Sequence, residues 1–404
     1  MDADGNEPGV EIAACRGPLR DQFATLDDVI EVAAHAQVVA ILNDHRFTGK
    51  LATRTYKRLR GIGPRARAVL AETMREGLVN SPTLFMADPP ALNRYRSACA
   101  TQLGATHVQA RTSDYLQSAR THVEALAAGE INVLADIAYP LISGWLGDLL
   151  GYSSAHSAEQ LAEWIHALGV LSAGLFARDP TPQETYESAM RSRLQFLKAT
   201  RDVVQRAHQR PDGSLLSDLA SETHGFTLGE LLDMAQQLLL GGAASALGIT
   251  ASAVRVGLTN AALREQLLGA DADVVIDELA RLESVAGVTF RRATAECTVG
   301  GVDVKADDMV ILRLDVADRD ESVFDCPHSI DATGASAPRS LAYGFGRHSC
   351  IGARQGRLMV HAITTAVLES DWSVVRAQVE PAAFPRLGTL IIRRSGHDGA
   401  TSAS

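Results

Sequence analysis

The chain has 404 residues, 46% of them hydrophobic and 21% charged, which is a globular composition sufficient for one large domain or two ordinary ones. A net charge of −10 with no Lys/Arg-rich block argues against a nucleic-acid partner. Five scattered cysteines without CxxC spacing fit reduced thiols better than a disulfide framework.

No basic segment precedes an apolar run at the N-terminus, and no uninterrupted apolar stretch reaches about 18 residues, so a soluble, cytoplasmic protein without a membrane partner is expected. The first dozen residues are acidic with Gly and Pro, and residues 1–25 are expected to be disordered or irregular. Leu26–Leu42 carries an apolar stripe that predicts a helix. Residues 58–90, rich in Arg, Gly and Pro, read as irregular. Helices are predicted at Leu92–Gly104 and Ser113–Ala127. A strongly apolar one follows at Ile131–Leu150, interrupted at Pro140 and ended by Gly151. Two more follow at Ala158–Phe176 and Gln183–Gln209.

Thr227–Leu258 is the longest helical pattern, opened by Thr227 with Glu230 as a capping box. Its middle, Gly241-Gly242-Ala243-Ala244-Ser245, is unusual, because each glycine costs about 0.5–1 kcal/mol relative to alanine in a helix. Two in succession predict a kink or a flat group against the backbone. After a helix at Asp273–Val285, period-two alternation from Val288 to Leu314, with Gly300-Gly301 as a turn, predicts a hairpin. A loop over 315–340, a helix at Ala353–Glu369 and short strands at Trp372–Val379 and Thr389–Arg394 complete a mainly helical domain with a small β portion, spanning 26–395. Residues 396–404 are expected to form a flexible tail.

The most specific chemistry lies in Tyr343-Gly344-Phe345-Gly346-Arg347-His348-Ser349-Cys350-Ile351-Gly352. Glycines allow positive φ and close approach to a bulky group. A thiolate on such a loop, beside Arg347 and His348 and facing a helix N-terminus, is expected to have a lowered pKa and to ligate metal. This decamer resembles the cysteine-ligand loop of the cytochrome P450 family, aromatic-x-x-Gly-x-basic-x-Cys-x-Gly, filled here by Tyr343, Gly346, His348, Cys350 and Gly352.

The resemblance implies the cytochrome P450 fold, haem b ligated by Cys350, and electrons from NAD(P)H through a ferredoxin reductase and a ferredoxin. It implies a monomeric monooxygenase acting on a small molecule. Arg96, Arg291 and His348 match the family's propionate contacts, although its further His falls at Leu92. Glu278 and Arg281 match the structural Glu-x-x-Arg, whose third partner falls at Gly334, with Arg339 as a candidate replacement. Arg347 and Arg354 are candidates for a ferredoxin-docking surface.

The family's distal small-Gly-x-acid-Thr aligns with Gly241, Gly242, Ala243, Ala244 and Ser245, so the acid that helps deliver protons to dioxygen is absent. Proton delivery then falls to Ser245, ordered water or the substrate. Oxidative coupling, cyclisation or nitration is therefore an alternative to hydroxylation, and a non-catalytic helper is a second. Leu84, Phe85, Met86, Leu168 and Val288 are expected to line a pocket for an apolar or aromatic molecule, in specialised metabolism.

Overall fold

The computed structural model describes residues 29–50, 64–126, 129–174, 181–283, 287–380 and 386–394. The segments expected to be irregular at 1–25 and flexible at 396–404 lie outside these. In chain order the main helices are α1 (His35–Asn43), α2 (Pro64–Arg75), α3 (Ala91–Leu103), α4 (Thr112–Ala125), α5 (Tyr139–Leu150) and α6 (Ala158–Gly174). They continue with α7 (Gln183–Gln209), α8 (Leu228–Thr259), α9 (Ala261–Leu268), α10 (Ala272–Glu283) and α11 (Ala353–Leu368). The fold class is therefore mainly α with a small β portion.

α8 is the element against which the others pack. Its first turn carries the full capping box: the Thr227 hydroxyl accepts from the Glu230 amide, and the Glu230 carboxylate accepts from the Thr227 amide at 2.7 Å. Leu231, Leu232, Met234, Leu239, Leu247, Ile249, Val254 and Val256 are buried in the main core. The helix continues without a break through Gly241 and Gly242, so the glycines mark close packing and no interruption. α11, α10, α9, α5, α6 and α7 all contact it. Two stretches, Val133–Leu150 and Leu228–Thr259, are long and apolar enough to cross a membrane, but 67% and 61% of those windows is buried inside the fold.

The four-stranded sheet runs β1 (Ile30–Val32), β7 (Met309–Arg313), β4 (Val288–Ala293) and β2 (Phe47–Thr48), with β1 parallel to β7 and the other pairs antiparallel. A second sheet joins β3 (Glu130–Asn132), β9 (Arg386–Arg394) and β8 (Trp372–Glu380). The hairpin of β5 (Cys297–Val299) and β6 (Val302–Val304) turns at Gly300 and Gly301, whose φ values are 57° and 79°. That turn matches the sequence expectation.

Three sequence expectations need correction. The helix expected over Leu26–Leu42 begins only at His35, because Ile30-Glu31-Val32 is claimed by β7, far along the chain. Arg313 on β7 fixes this pairing through Glu31 at 3.0 Å and a bidentate pair with Asp315. Residues 58–90 are not wholly irregular, since Pro64 opens the helix α2, a position where its missing N–H costs nothing. The helix expected at Ile131–Leu150 is split: Ile131 lies in β3, a π-type turn follows at Val133–Ala138, and α5 starts at Tyr139 with Pro140 in its first turn. Gly151 ends α5 in the left-handed region, as expected.

Candidate active site

The cysteine loop is shaped by its own backbone. Gly344 and Gly346 take φ of 67° and 66°, and the Cys350 amide donates to the Tyr343 carbonyl at 2.7 Å, closing the loop. Gly352 stands at the start of α11 with an ordinary φ of −96°. At Gly346 a Cβ would lie 2.8 Å from Asn43 Oδ1 and 3.4 Å from the Leu42 carbonyl. Gly346→Ala is therefore expected to cost about 1–2 kcal/mol from positive φ alone, with displacement of the end of α1 added. A chemical-denaturation midpoint unchanged from the parent would refute it.

The Cys350 side chain is exposed, yet protein packed around it pushes the thiol above its ordinary value. The Gly352 and Ala353 amides and the cations of Arg96 and Arg357 pull it down, and burial outweighs them. The expected lowering of this pKa is thus corrected. The downward influences are those the loop was read for, but desolvation dominates the protein's own contribution.

Around this loop gather bases that form no ion pair among the described residues. Arg96 on α3 donates from Nη1 to the Ser349 carbonyl at 2.7 Å, and burial lowers its pKa. Arg291 on β4 is 5% exposed and donates to Thr289 Oγ1 and the Phe290 carbonyl. Burial and the neighbouring Arg347 cation bring it down to about 10. His348 is held at about 4 by burial and by the Arg291 and Arg347 cations. Its Nδ1 lies 3.3 Å from the Leu84 carbonyl, and its buried Nε2 has no partner among the described residues. Arg347 turns inward, donating from Nη2 to the carbonyls of Asp44 and Phe47, and its buried Nε is also unpartnered among the described residues.

Among the described residues none of Arg96, Arg291 and Arg347 forms an ion pair with a carboxylate; Asp88, the carboxylate facing them, is bonded to Thr48 at 2.6 Å. Buried cations need compensation. A group bringing two carboxylates, as haem does, fits this cradle. Sequence reasoning placed Arg347 on a docking surface and missed its inward turn, which only its contacts with residues 44 and 47 reveal.

On α8, Ser245 Oγ donates to the Gly241 carbonyl at 2.9 Å, one turn back. A Cβ on Gly241 would meet the Phe85 ring at 3.5 Å. Gly242, expected on the distal face, lies against another helix: its Cβ would be 3.1 Å from Leu146 of α5. Ala244 offers no proton-carrying group. Phe85 is 60% exposed, Met86 and Val288 are half-buried, and Leu84 and Leu168 sit in the main core. The loop bearing Leu84–Met86 is pinned to α8, since Asp233 accepts from the Thr83 amide and hydroxyl at 2.8 and 2.7 Å, and Gln237 Oε1 accepts from the Phe85 amide at 2.9 Å.

Glu278 and Arg281 form a fully buried bidentate pair on α10, with contacts of 2.9 and 2.6 Å. The guanidinium also donates to the carbonyls of Asp318, Cys326, Pro327 and Ser329, and Glu278 accepts from the Asp331 amide at 2.8 Å. Arg339 lies over the Phe324 ring, whose centroid is also 5.0 Å from Arg281. The place of a third side chain is therefore taken by main-chain groups, and Arg339 donates instead to the Ala335 carbonyl.

This arrangement agrees with comparisons to known proteins. A sequence model described as Cytochrome P450 matches residues 272–393, the stretch holding α10, the cysteine loop and α11. The chain is 27% identical over 387 residues to nocardicin C N-oxygenase of Nocardia uniformis subsp. tsuyamanensis, covering 92% of this chain and 89% of that one. It is also 27% identical over 300 residues to 20-oxo-5-O-mycaminosyltylactone 23-monooxygenase of Streptomyces fradiae, covering 72% and 67%. The chain belongs to the cytochrome P450 family. P450BioI, solved with an acyl carrier protein bearing hexadec-9Z-enoic acid, superposes with a TM-score of 0.74 at 19% identity over 90% of this chain and 91% of that one. The likeness in fold reaches well beyond the matched stretch, and the protein is a P450 monooxygenase-like oxidoreductase.

Proposed function

We propose that this P450 binds haem b through Cys350 and oxidises a small molecule of specialised metabolism, with electrons from NAD(P)H delivered by a ferredoxin reductase and a ferredoxin. The observation that carries the reading is the set of bases around the cysteine loop that form no ion pair among the described residues. Arg96, Arg291 and His348, with Arg347 added, are the residues for the two propionates. Bound haem supplies one-electron and dioxygen chemistry, with the cysteine thiolate favouring O–O cleavage.

The chain's own residues exclude water and orient the substrate. Phe85, Met86 and Val288 supply apolar wall, while Ser245 holds a hydroxyl proton at the Gly241 carbonyl. Without a carboxyl at Ala244, protons must come through Ser245, water or the substrate, which favours an atypical oxidation as the second reading. Nocardicin C N-oxygenase, a relative by sequence, is named for a reaction at nitrogen. Arg354, exposed at the start of α11, is the remaining cation for ferredoxin docking, since Arg347 is committed inward. The protein works as a monomeric single domain over residues 26–395, in the cytoplasm.

The absorption spectrum of the reduced protein under carbon monoxide tests the reading. A thiolate-type Soret shift is expected; a protein that takes up no haem, or gives an imidazole-type band, would overturn it and favour the helper.

A further inference from the structure

Two turns before Ser245, α8 meets α7 and the 80–86 loop in a polar cluster that the haem site does not use. Arg193 of α7 points inward, donating from Nε to Gln236 Oε1 at 2.9 Å and from Nη2 to Asn80 Oδ1 at 3.2 Å. Burial lowers its pKa, and the Asp233 carboxylate and Tyr186 are the groups that support its charge. Asp233 is itself occupied by the Thr83 amide and hydroxyl and by Asn80 and Gln237, and forms no ion pair with Arg193 among the described residues.

The remaining nitrogen, Nη1, donates to nothing among the described residues and is not sealed from solvent. Tyr186 lies two turns back on the same face of α7, half-buried, with its hydroxyl likewise free of any described partner and near enough to feel the Arg193 charge. A guanidinium and a phenol seven residues apart on one helix face, each with one donor free among the described residues, carry the donor chemistry that an oxyanion takes.

We propose that Arg193 and Tyr186 form the far end of the substrate cleft and bind the carboxylate or phosphate head of an elongated, otherwise apolar substrate. The inference rests on the haem-enzyme reading for what happens at the other end, but the anion site itself stands on α7 and α8. It refines the expectation of a simply apolar or aromatic ligand. Gln236 precedes Ser245 by nine residues, so the head group and the oxidised region are separated by roughly 14 Å at about 1.5 Å per residue. The loop carrying Phe85 is pinned to Gln237 between these two points and lays its ring on Gly241, where the apolar body must pass. A substrate anchored this way is positioned by its charge and recognised by its length.

Calorimetric titration of the purified protein with dodecanoate, dodecyl phosphate and methyl dodecanoate tests this. At least one of the two anions is expected to bind tenfold or more tightly than the ester, and which one does so identifies the head group. Arg193→Gln is expected to abolish that preference while leaving the ester's affinity unchanged. Because Arg193 also ties α7 to α8, Tyr186→Phe is a second variant that keeps the fold, and is expected to reduce anion affinity about fivefold with no change for the ester. Equal binding of anions and ester, or a preference untouched by both substitutions, would overturn the proposal. The spectrum under carbon monoxide is read separately: its failure would overturn the haem reading, while the calorimetric preference reports only on this site.

Discussion

Cys350→Ala is expected to abolish the thiolate-type Soret band of the reduced, carbon monoxide-bound protein while leaving far-UV circular dichroism unchanged. The side chain is exposed, and its sulfur meets the Gly352 and Ala353 amides at the start of α11 without closing the loop itself. The bond that closes the loop is made by the residue 350 amide to the Tyr343 carbonyl, and alanine keeps it. The fold therefore survives and the ligand does not. Cys350→His supplies an imidazole at the same place and is expected to shift the band to the imidazole type.

The other described cysteines do not offer a ready substitute. Cys99 lies nearest in electrostatic terms, acting on Arg96 as Cys350 does, but it is fully buried and its thiol is pushed up to about 12. Forming its thiolate by removing that proton near neutrality costs several kcal/mol, at about 1.4 kcal/mol per pKa unit. A thiolate-type band persisting in the alanine variant would show that the ligand lies elsewhere, and the assignment of Cys350 would fall.

The difference between what the chain discloses locally and what it discloses only when folded follows from the reach of each interaction. The cysteine loop is readable because its requirements are confined to ten residues: two glycines at positive φ, a basic pair and a cysteine beside a helix start. The capping box of α8 is readable for the same reason. Ile30-Glu31-Val32 is not, since three residues carry too little periodicity, and their partner strand begins at Met309. Arg291 and Arg96 look like ordinary surface charges until β4 and α3 bring them beside one loop. Arg347 shows a sharper limit, because a basic residue next to the ligand reads equally well as outward or inward. Arg193 and Tyr186 share a helix face by spacing, yet only the approach of Gln236 and Asn80 turns that face inward. Likewise, no sequence pattern discloses that the third member of the Glu278–Arg281 cluster is a set of main-chain carbonyls.

That cluster yields the largest expected loss of stability. Glu278→Gln is expected to destabilise the protein by about 3–5 kcal/mol, the range for removing one partner of a buried ion pair. The cost arises from what is removed: Arg281, 0% exposed, keeps its full charge in the interior after losing the carboxylate that pairs it through two contacts. The exposed Arg120–Glu369 pair, whose side chains are 40% and 41% exposed, supplies the contrast. Glu369→Gln is expected to cost under about 1 kcal/mol, although its contacts of 2.7 Å look equally good, because water screens both charges before and after substitution. The buried pair also ties α10 to the carbonyls of residues 318, 326, 327 and 329 and to the Asp331 amide. From Asp318 the connection continues to the Leu341 amide at 2.6 Å, two residues before the cysteine loop begins. Loosening at α10 therefore propagates to the ligand. Glu278→Gln is expected to lose its Soret absorbance at a lower temperature than its helical circular dichroism, whereas in the parent protein the two losses are expected to coincide. If the two signals fall together in the variant, at temperatures matching the parent, the pair is neither a strong stabiliser nor a support of the cysteine loop.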